Sequence, residues 1–230
     1  MSQTFVLNDS LSLSDLQVFL SRAQRVEDGS VRLIAGSGVL AVYVAVLVPA
    51  GLLDQSPTVL GLRTFALAAA DVAAPDSFDA VVPVRSLLER LNRLQSGIID
   101  PTATVTVSLP MQVNTVTWAA ISPPRGGWKA LESVEVSVLE AVAKSGIDEF
   151  AAAVPAGIGE QLVHRVRSEV WGQPIAGFEY VPAGAAFAGL SLGFLGGEEP
   201  IRIYETGPWT RLTSPHGHIL VKRRAWSLQR

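Results

Sequence analysis

His216-Gly217-His218 is the only histidine pair in the chain. Residues two apart in an extended strand put their side chains on one face. Two imidazoles so placed suit a metal ion, but a metal site takes three or four ligands. The remaining histidine is His164, and the nearest preceding acids are Glu205, Glu199 and Glu198; nothing in their spacing brings them to the pair. Ser214-Pro215-His216-Gly217-His218 reads instead as a turn after a strand containing Thr210-Arg211-Leu212, so no metal ligands are assigned. Gly189-Leu190-Ser191-Leu192-Gly193 has the G-x-S-x-G pattern of a nucleophile elbow. An elbow needs a strand before it, a helix after it and later strands carrying acid and base. Only 37 residues follow Gly193, too few for that layout. Ala156-Gly157-Ile158-Gly159 stands ahead of a helix and could present N–H groups to an anion. It lacks the Lys and Ser/Thr of a P-loop and the spacing of a dinucleotide fingerprint. The chain has no cysteine, which removes disulfides, thiolate catalysis and Cys-type zinc sites. No catalytic residue and no cofactor therefore follow from the sequence.

The last segment carries charge. Net charge is −3, yet no acid follows Glu205, so the last 25 residues carry +5 and the first 205 carry −8. Aromatic residues accompany this basic stretch, with Trp209 and Trp226 inside it and Trp171 upstream. Interleaved arginine and tryptophan can stack on a partner's side chains or on bases. The candidate binding residues are Trp209, Arg211, His216, His218, Lys222, Arg223 and Arg224. A protein partner or a second copy of the chain is favoured over nucleic acid, because an acidic body opposes attraction to phosphates.

The elements that position these residues fall into two regions. In residues 1–125 a pattern recurs at an offset of 71. Leu11 to Leu16 leads into Phe19 and Leu20, and Val82 to Leu87 leads into Leu91. Each copy reads as an extended apolar pair, a short amphipathic helix and two strands. The first helix is expected to be capped at Ser14, with Gln17 completing a capping box and Leu13 and Val18 at staple spacing. The second is expected to be capped at Ser86 with Glu89, and to bury Leu87, Leu88, Leu91 and Leu94. Strands are predicted at Val31–Ala35, Val39–Val48, Val59–Ala69, Ala103–Leu109 and Val113–Ile121. Ile34–Leu53 is long enough to span a membrane. Gly36-Ser37-Gly38, Pro49 and Gly51 break it, and a hairpin feeding a strand covered on both faces explains it better. Pro123-Pro124-Arg125-Gly126-Gly127 marks the boundary between the two regions.

Beyond the boundary the pattern turns helical. A helix is expected over Ala130–Lys144, with Val134, Val138 and Val142 inward and a stop at Gly146. A short helix capped by Asp148 follows, then a third over Glu160–Trp171 with Leu162, Val166 and Val170 inward. Val181–Gly197 is either a buried helix or close-packed irregular chain. Strands at Ile201–Glu205 and Ile219–Arg223 close the chain. The fold class is thus α+β. Two βαββ-like repeats (about 1–72 and 73–125) form a mixed or antiparallel sheet with helices packed on it. A helix-rich region, 126–230, ends in a β-hairpin.

Trp209-Thr210-Arg211-Leu212-Thr213, followed by Pro215, Gly217-His218 and Leu220-Val221-Lys222, resembles a family of uncharacterised hypothetical proteins of high-GC Gram-positive (actinobacterial) bacteria. Fifteen arginines against three lysines agree with a GC-rich source. The family has no assigned activity, so the resemblance implies no catalytic residue. Met1-Ser2-Gln3-Thr4 has neither the basic nor the apolar region of a signal peptide. The sequence reading is therefore a cytoplasmic, non-enzymatic binding or scaffold protein, a homodimer, with the C-terminal hairpin as a contact surface. One alternative is a DNA-binding regulator in which residues 130–171 and the hairpin form a winged helix, with Gln161, His164, Arg165 and Arg167 facing the groove. Another is a small-molecule enzyme or sensor using Arg211, His216 and His218.

Overall fold

Strand β1 (Thr4–Leu7) leads into helix α1 (Ser10–Val26) in a computed structural model that describes residues 3–51, 54, 56–68, 77–114, 116–154 and 159–223. The chain divides into two compact units, one of residues 1–44 and 62–121, the other of 45–61 and 122–230. Among the described residues are five α-helices and twelve strands, a mixed α+β architecture.

In the first unit α1 starts a turn earlier than the Ser14 cap predicts. The Asp9 carboxylate accepts from the Ser12 N–H at 2.7 Å, and this bond holds the Asp9 carboxyl below its ordinary pKa. Ser14 therefore lies inside the helix and donates to Gln95 instead. Asp9 stands ahead of the apolar stripe and can close its first turn, which a serine within the stripe cannot. The buried stripe is Leu13, Leu16, Phe19, Leu20 and Ala23, while Val18 is exposed. A hairpin follows, β2 (Ser30–Gly36) and β3 (Val39–Leu47), closed by Ser37 and Gly38 at φ +52° and +74°. Those angles belong to the turn type whose twist matches paired strands. The two strands alternate buried and half-buried residues, so one face carries most of the burial. Strands β4 (Thr58–Ala66) and β5 (Phe78–Pro83) complete the order β5-β2-β3-β4, with β5 antiparallel to β2.

Helix α2 (Val84–Ser96) begins directly after Pro83 with no side-chain cap, so Ser86 is also interior. Its first N–H, of Val84, donates to the Gly29 carbonyl, which makes a capping serine unnecessary. Val84, Leu87, Leu88 and Leu91 are buried, while Leu94 is only half-buried, and α2 packs against α1. Strand β6 (Val105–Ser108) pairs antiparallel with β1. The strand expected over Val113–Ile121 does not form. Val113 makes one bond to Val81, and Thr117–Ala120 curl into a 3-10 turn that buries Trp118.

The second unit opens with strand β7 (Lys129–Val134) where a helix was expected, so Val134 is a strand residue paired with Ile201. Helix α3 (Val136–Ala153) then runs through Gly146 without stopping, and Asp148 caps nothing. Helix α4 (Glu160–Gly172) buries Val166 and Val170 but leaves Leu162 exposed. The pair β8 (Pro174–Ile175) and β9 (Phe178–Pro182) leads into α5 (Ala183–Leu192), a buried helix capped by Gly193 at φ +77°. Its alanines and glycines let neighbours approach closely: a Cβ on Gly184 would stand 3.0 Å from the Trp171 carbonyl oxygen. Strands β10 (Ile201–Thr206), β11 (Trp209–Ser214) and β12 (Gly217–Lys222) form antiparallel hairpins in the order β12-β11-β10-β7. None of the described helices is long and apolar enough to cross a membrane.

Candidate functional site

The register of β10, β11 and β12 sorts the C-terminal residues onto two faces. Thr210 and Leu212 stand opposite Val221 and Ile219. This face looks toward α5, because a Cβ on Gly189 would lie 3.1 Å from Ile219 Cδ1. Alternation puts Trp209, Arg211 and Thr213 on the other face, with Lys222, Leu220 and His218 on β12 and Thr206, Tyr204 and Arg202 on β10.

Arg211 is the centre of this second face. Its guanidinium carbon lies 4.5 Å from the Trp128 ring centroid and 4.7 Å from that of Tyr204. A guanidinium over two π faces is attracted to both. The Trp128 indole N–H donates to the Pro124 carbonyl oxygen, which fixes one wall. Tyr204, directly across the ladder from Arg211, supplies the other. Arg211 Nε is buried and has no hydrogen-bond partner among the described residues, and no carboxylate there forms an ion pair with it. Burial lowers the Arg211 pKa, but an arginine keeps its charge regardless.

His218 shares this face, its Nδ1 3.1 Å from the Thr213 hydroxyl. Burial, then the charge of Arg211, push its pKa below 6.5. The folded protein thus resists protonating His218, while the unfolded chain takes the proton near 6.5. Between those two values the unfolded state binds more protons, and stability falls as pH drops. We expect the melting temperature to decline below about pH 6.5. His218→Gln should flatten the part of that decline due to this ring, as read from melts across pH.

Thr210 lies on the α5 face, fully buried, with its hydroxyl oxygen unpaired among the described residues. An unsatisfied buried hydroxyl is costly, and an isosteric apolar replacement removes the cost. Thr210→Val is expected to raise stability by about 1 kcal/mol in urea unfolding. A loss of stability would show that the hydroxyl has a partner.

The other predicted binding residues scatter. Trp209 is 4% exposed and acts as core. His216 sits in the exposed turn before β12, its N–H donating to Ser214, so the two histidines do not share a strand face. The extended geometry assumed for His216-Gly217-His218 fails because the β11–β12 hairpin turns there. Lys222 is exposed on the Arg211 face. Arg223 turns away to Glu205 at 3.5 Å and to the Gly207 carbonyl at 2.8 Å. Arg224, Trp226 and most of the Ala156-Gly157-Ile158-Gly159 loop lie outside the described residues. Trp171 acts as core: it is buried and stacked on Phe187 at 4.3 Å. Ser191 lies within α5, so no nucleophile elbow forms.

A winged helix would need three helices across residues 130–171, and the described residues there form one strand and two helices. Gln161, His164 and Arg165 do line one open groove of about 690 Å³, together with Asp54, Ser56 and Glu169. Arg167 donates to the Val46 carbonyl at 2.7 Å and is not among its lining residues. Separately, the Tyr180 hydroxyl donates to Glu132 at 2.8 Å, and burial with this bond raises its pKa. Sequence reasoning missed Trp128 and Tyr204. Tyr204 was reachable: a two-residue turn at Gly207-Pro208 places residue 204 opposite residue 211.

Residues 1–111 match a family model described as a domain of unknown function (DUF8010), and residues 123–226 match a second (DUF8185). Two domains of unknown function thus make up most of the chain. Trp128, Tyr204 and Arg211 all lie within the DUF8185 match. Among curated proteins none is similar. Among solved structures the chain is similar to a candidate DNA polymerase III beta subunit from Eubacterium rectale, with TM-score 0.50 and 8% identity. The match covers 99% of this chain and 66% of that one. It is also similar to DNA polymerase sliding clamps from Bacillus subtilis (TM-score 0.49, 10% identity, 100% and 67% covered) and Pseudomonas aeruginosa (0.48, 14%, 99% and 66%). The chain spans about two thirds of the length of these proteins. At such identities the likeness concerns the fold.

Proposed function

We propose that this chain is a non-enzymatic binding or scaffold protein that assembles with a second copy of itself or with a protein partner, using the β11–β12 hairpin as a contact surface. The observation that carries this reading is Arg211, a charged group fixed between Trp128 and Tyr204 and left without an acid among the described residues. An immobilised, unpaired cation with aromatic walls is what a binding surface needs, since little freedom remains to be lost on contact. The fold likeness to a protein whose name makes it a subunit of a larger assembly supports the same reading by analogy.

The division at residue 125 and the doubled βαββ plan belong to this proposal. Supporting the doubling, β1 pairs with β6, β2 pairs with β5 and α1 packs on α2, so the strand before the helix in each copy pairs with the strand after the helix in the other. An actinobacterial source fits the arginine-rich composition. Light scattering on the purified full chain tests assembly. A mass above 24.4 kDa that falls on dilution is expected. A monomer at every concentration would remove self-assembly and leave only the partner.

A further inference from the structure

We propose that the Arg211 guanidinium is the docking point for a carboxylate on an acidic segment of a protein partner. The proposal rests on the binding-protein reading and narrows it to one chemistry.

Three observations lead to it. First, the Arg211 guanidinium carbon sits over the Trp128 ring at 4.5 Å and over the Tyr204 ring at 4.7 Å, so two aromatic walls restrain it. The planar fork of an arginine pairs with a carboxylate through two parallel hydrogen bonds, and prior immobilisation reduces the cost of forming them. Second, the acids of this sheet region point elsewhere. Glu205 lies on the opposite face and pairs with Arg223, and Glu132 accepts from Tyr180. Third, the charged and titratable groups sharing the Arg211 face on β10, β11 and β12 are Arg202, Tyr204, Lys222 and His218. Arg202 and Lys222 are exposed. Arg202, Arg211 and Lys222 make this face of the three strands positive with no acid on it, and its complement is negative.

Phosphates are negative too, so the choice between protein and nucleic acid turns on the rings. Both aromatic walls already give a face to the guanidinium, so neither offers that face to a base. Stacking is what binds single strands without sequence preference, and here the stacking partner is internal. The first 205 residues also carry −8, which opposes a polyanion approaching the molecule as a whole. A short acidic peptide is small enough to meet only the basic face.

The experiment titrates the full chain with a capped peptide of alternating Glu and Ser. Controls are the same peptide with Gln for Glu and an oligothymidylate of equal charge. Tryptophan fluorescence and calorimetry report binding. The Glu peptide should bind and weaken with salt, while the Gln peptide should not bind. Arg211→Gln should weaken Glu-peptide binding about tenfold or more. Arg211→Lys should weaken it nearly as much, because an ammonium neither stacks flat nor pairs bidentately. Should Arg211→Gln fail to fold, Trp128→Leu removes one wall and should weaken binding in the same direction. The proposal is overturned if the Glu peptide fails to bind, if the variants bind it as tightly as the parent, or if oligothymidylate binds more tightly. It is also overturned if Arg211→Gln converts an assembled chain to monomer, since the occupant would then be a second copy. A chain that stays assembled while ignoring the Glu peptide would leave the assembly reading intact and remove this one alone.

Discussion

Replacing Gly146 with alanine is expected to destabilise the protein by about 3 kcal/mol, the upper part of the overpacking range. On propensity alone the substitution should help, since alanine is favoured over glycine inside a helix by about 1 kcal/mol. Packing decides otherwise. A Cβ at residue 146 would stand 2.4 Å from Trp171 Cζ3 and 2.8 Å from Cη2, distances real methyl groups do not reach. The indole cannot easily retreat. It is 3% exposed, its ring stacks on Phe187 at 4.3 Å, and its carbonyl oxygen stands 3.0 Å from where a Cβ on Gly184 would be. Urea unfolding should show the loss as a lower midpoint at unchanged slope. The cause is separable from helix propensity by a double-mutant cycle with Trp171→Leu, which removes both ring atoms in question. Gly146→Ala should cost far less in that background, with a coupling of about 1–3 kcal/mol. Equal costs in both backgrounds would place the damage somewhere other than the indole.

Gly146 also shows why parts of the fold were illegible in the sequence. A glycine after a run of helical spacing usually marks a stop. This one allows a ring from another helix to close on α3, and nothing local announces that. The same holds at Val134. Its spacing from Val138 and Val142 fits a helix, but the ladder to β10 takes residues 129–134 into a strand. Where local chemistry was sufficient, sequence and structure agree. Ser37-Gly38 made the β2–β3 hairpin, and the stripe Leu16, Phe19, Leu20, Ala23 buried one face of α1. The site divides along the same line. Arg211 was visible as a cation in a basic strand. Its setting was not, because Trp128 lies 83 positions away and reaches it only through the pairing of β7, β10 and β11. The histidine pair failed for a local reason, a turn where a strand was assumed.

Phe19→Ala is expected to have an effect as large in the first unit, about 3–5 kcal/mol. Phe19 is fully buried on α1, in a stripe with Leu16 and Leu20 that are also fully buried. Truncation loses the transfer free energy of the ring and leaves a cavity that rigid neighbours fill only in part. Collapse is hindered on two sides, because α1 packs against α2 and its own stripe is anchored at both ends of the helix, by the Asp9 cap and by the Glu27 N–H donating to the Ala23 carbonyl. Val18, the preceding residue, is 47% exposed, so Val18→Ala should change stability by about 0.5 kcal/mol or less. The pair makes the test internal to one turn of helix. Both variants sit in the same backbone, so a difference between them reports burial and not helix propensity. Amide exchange should show α1 and α2 losing protection together in Phe19→Ala, since the two helices pack on each other. A cost for Phe19→Ala as small as that for Val18→Ala would mean that the α1–α2 layer refills freely, and that the stripe sets helix orientation without holding the unit together.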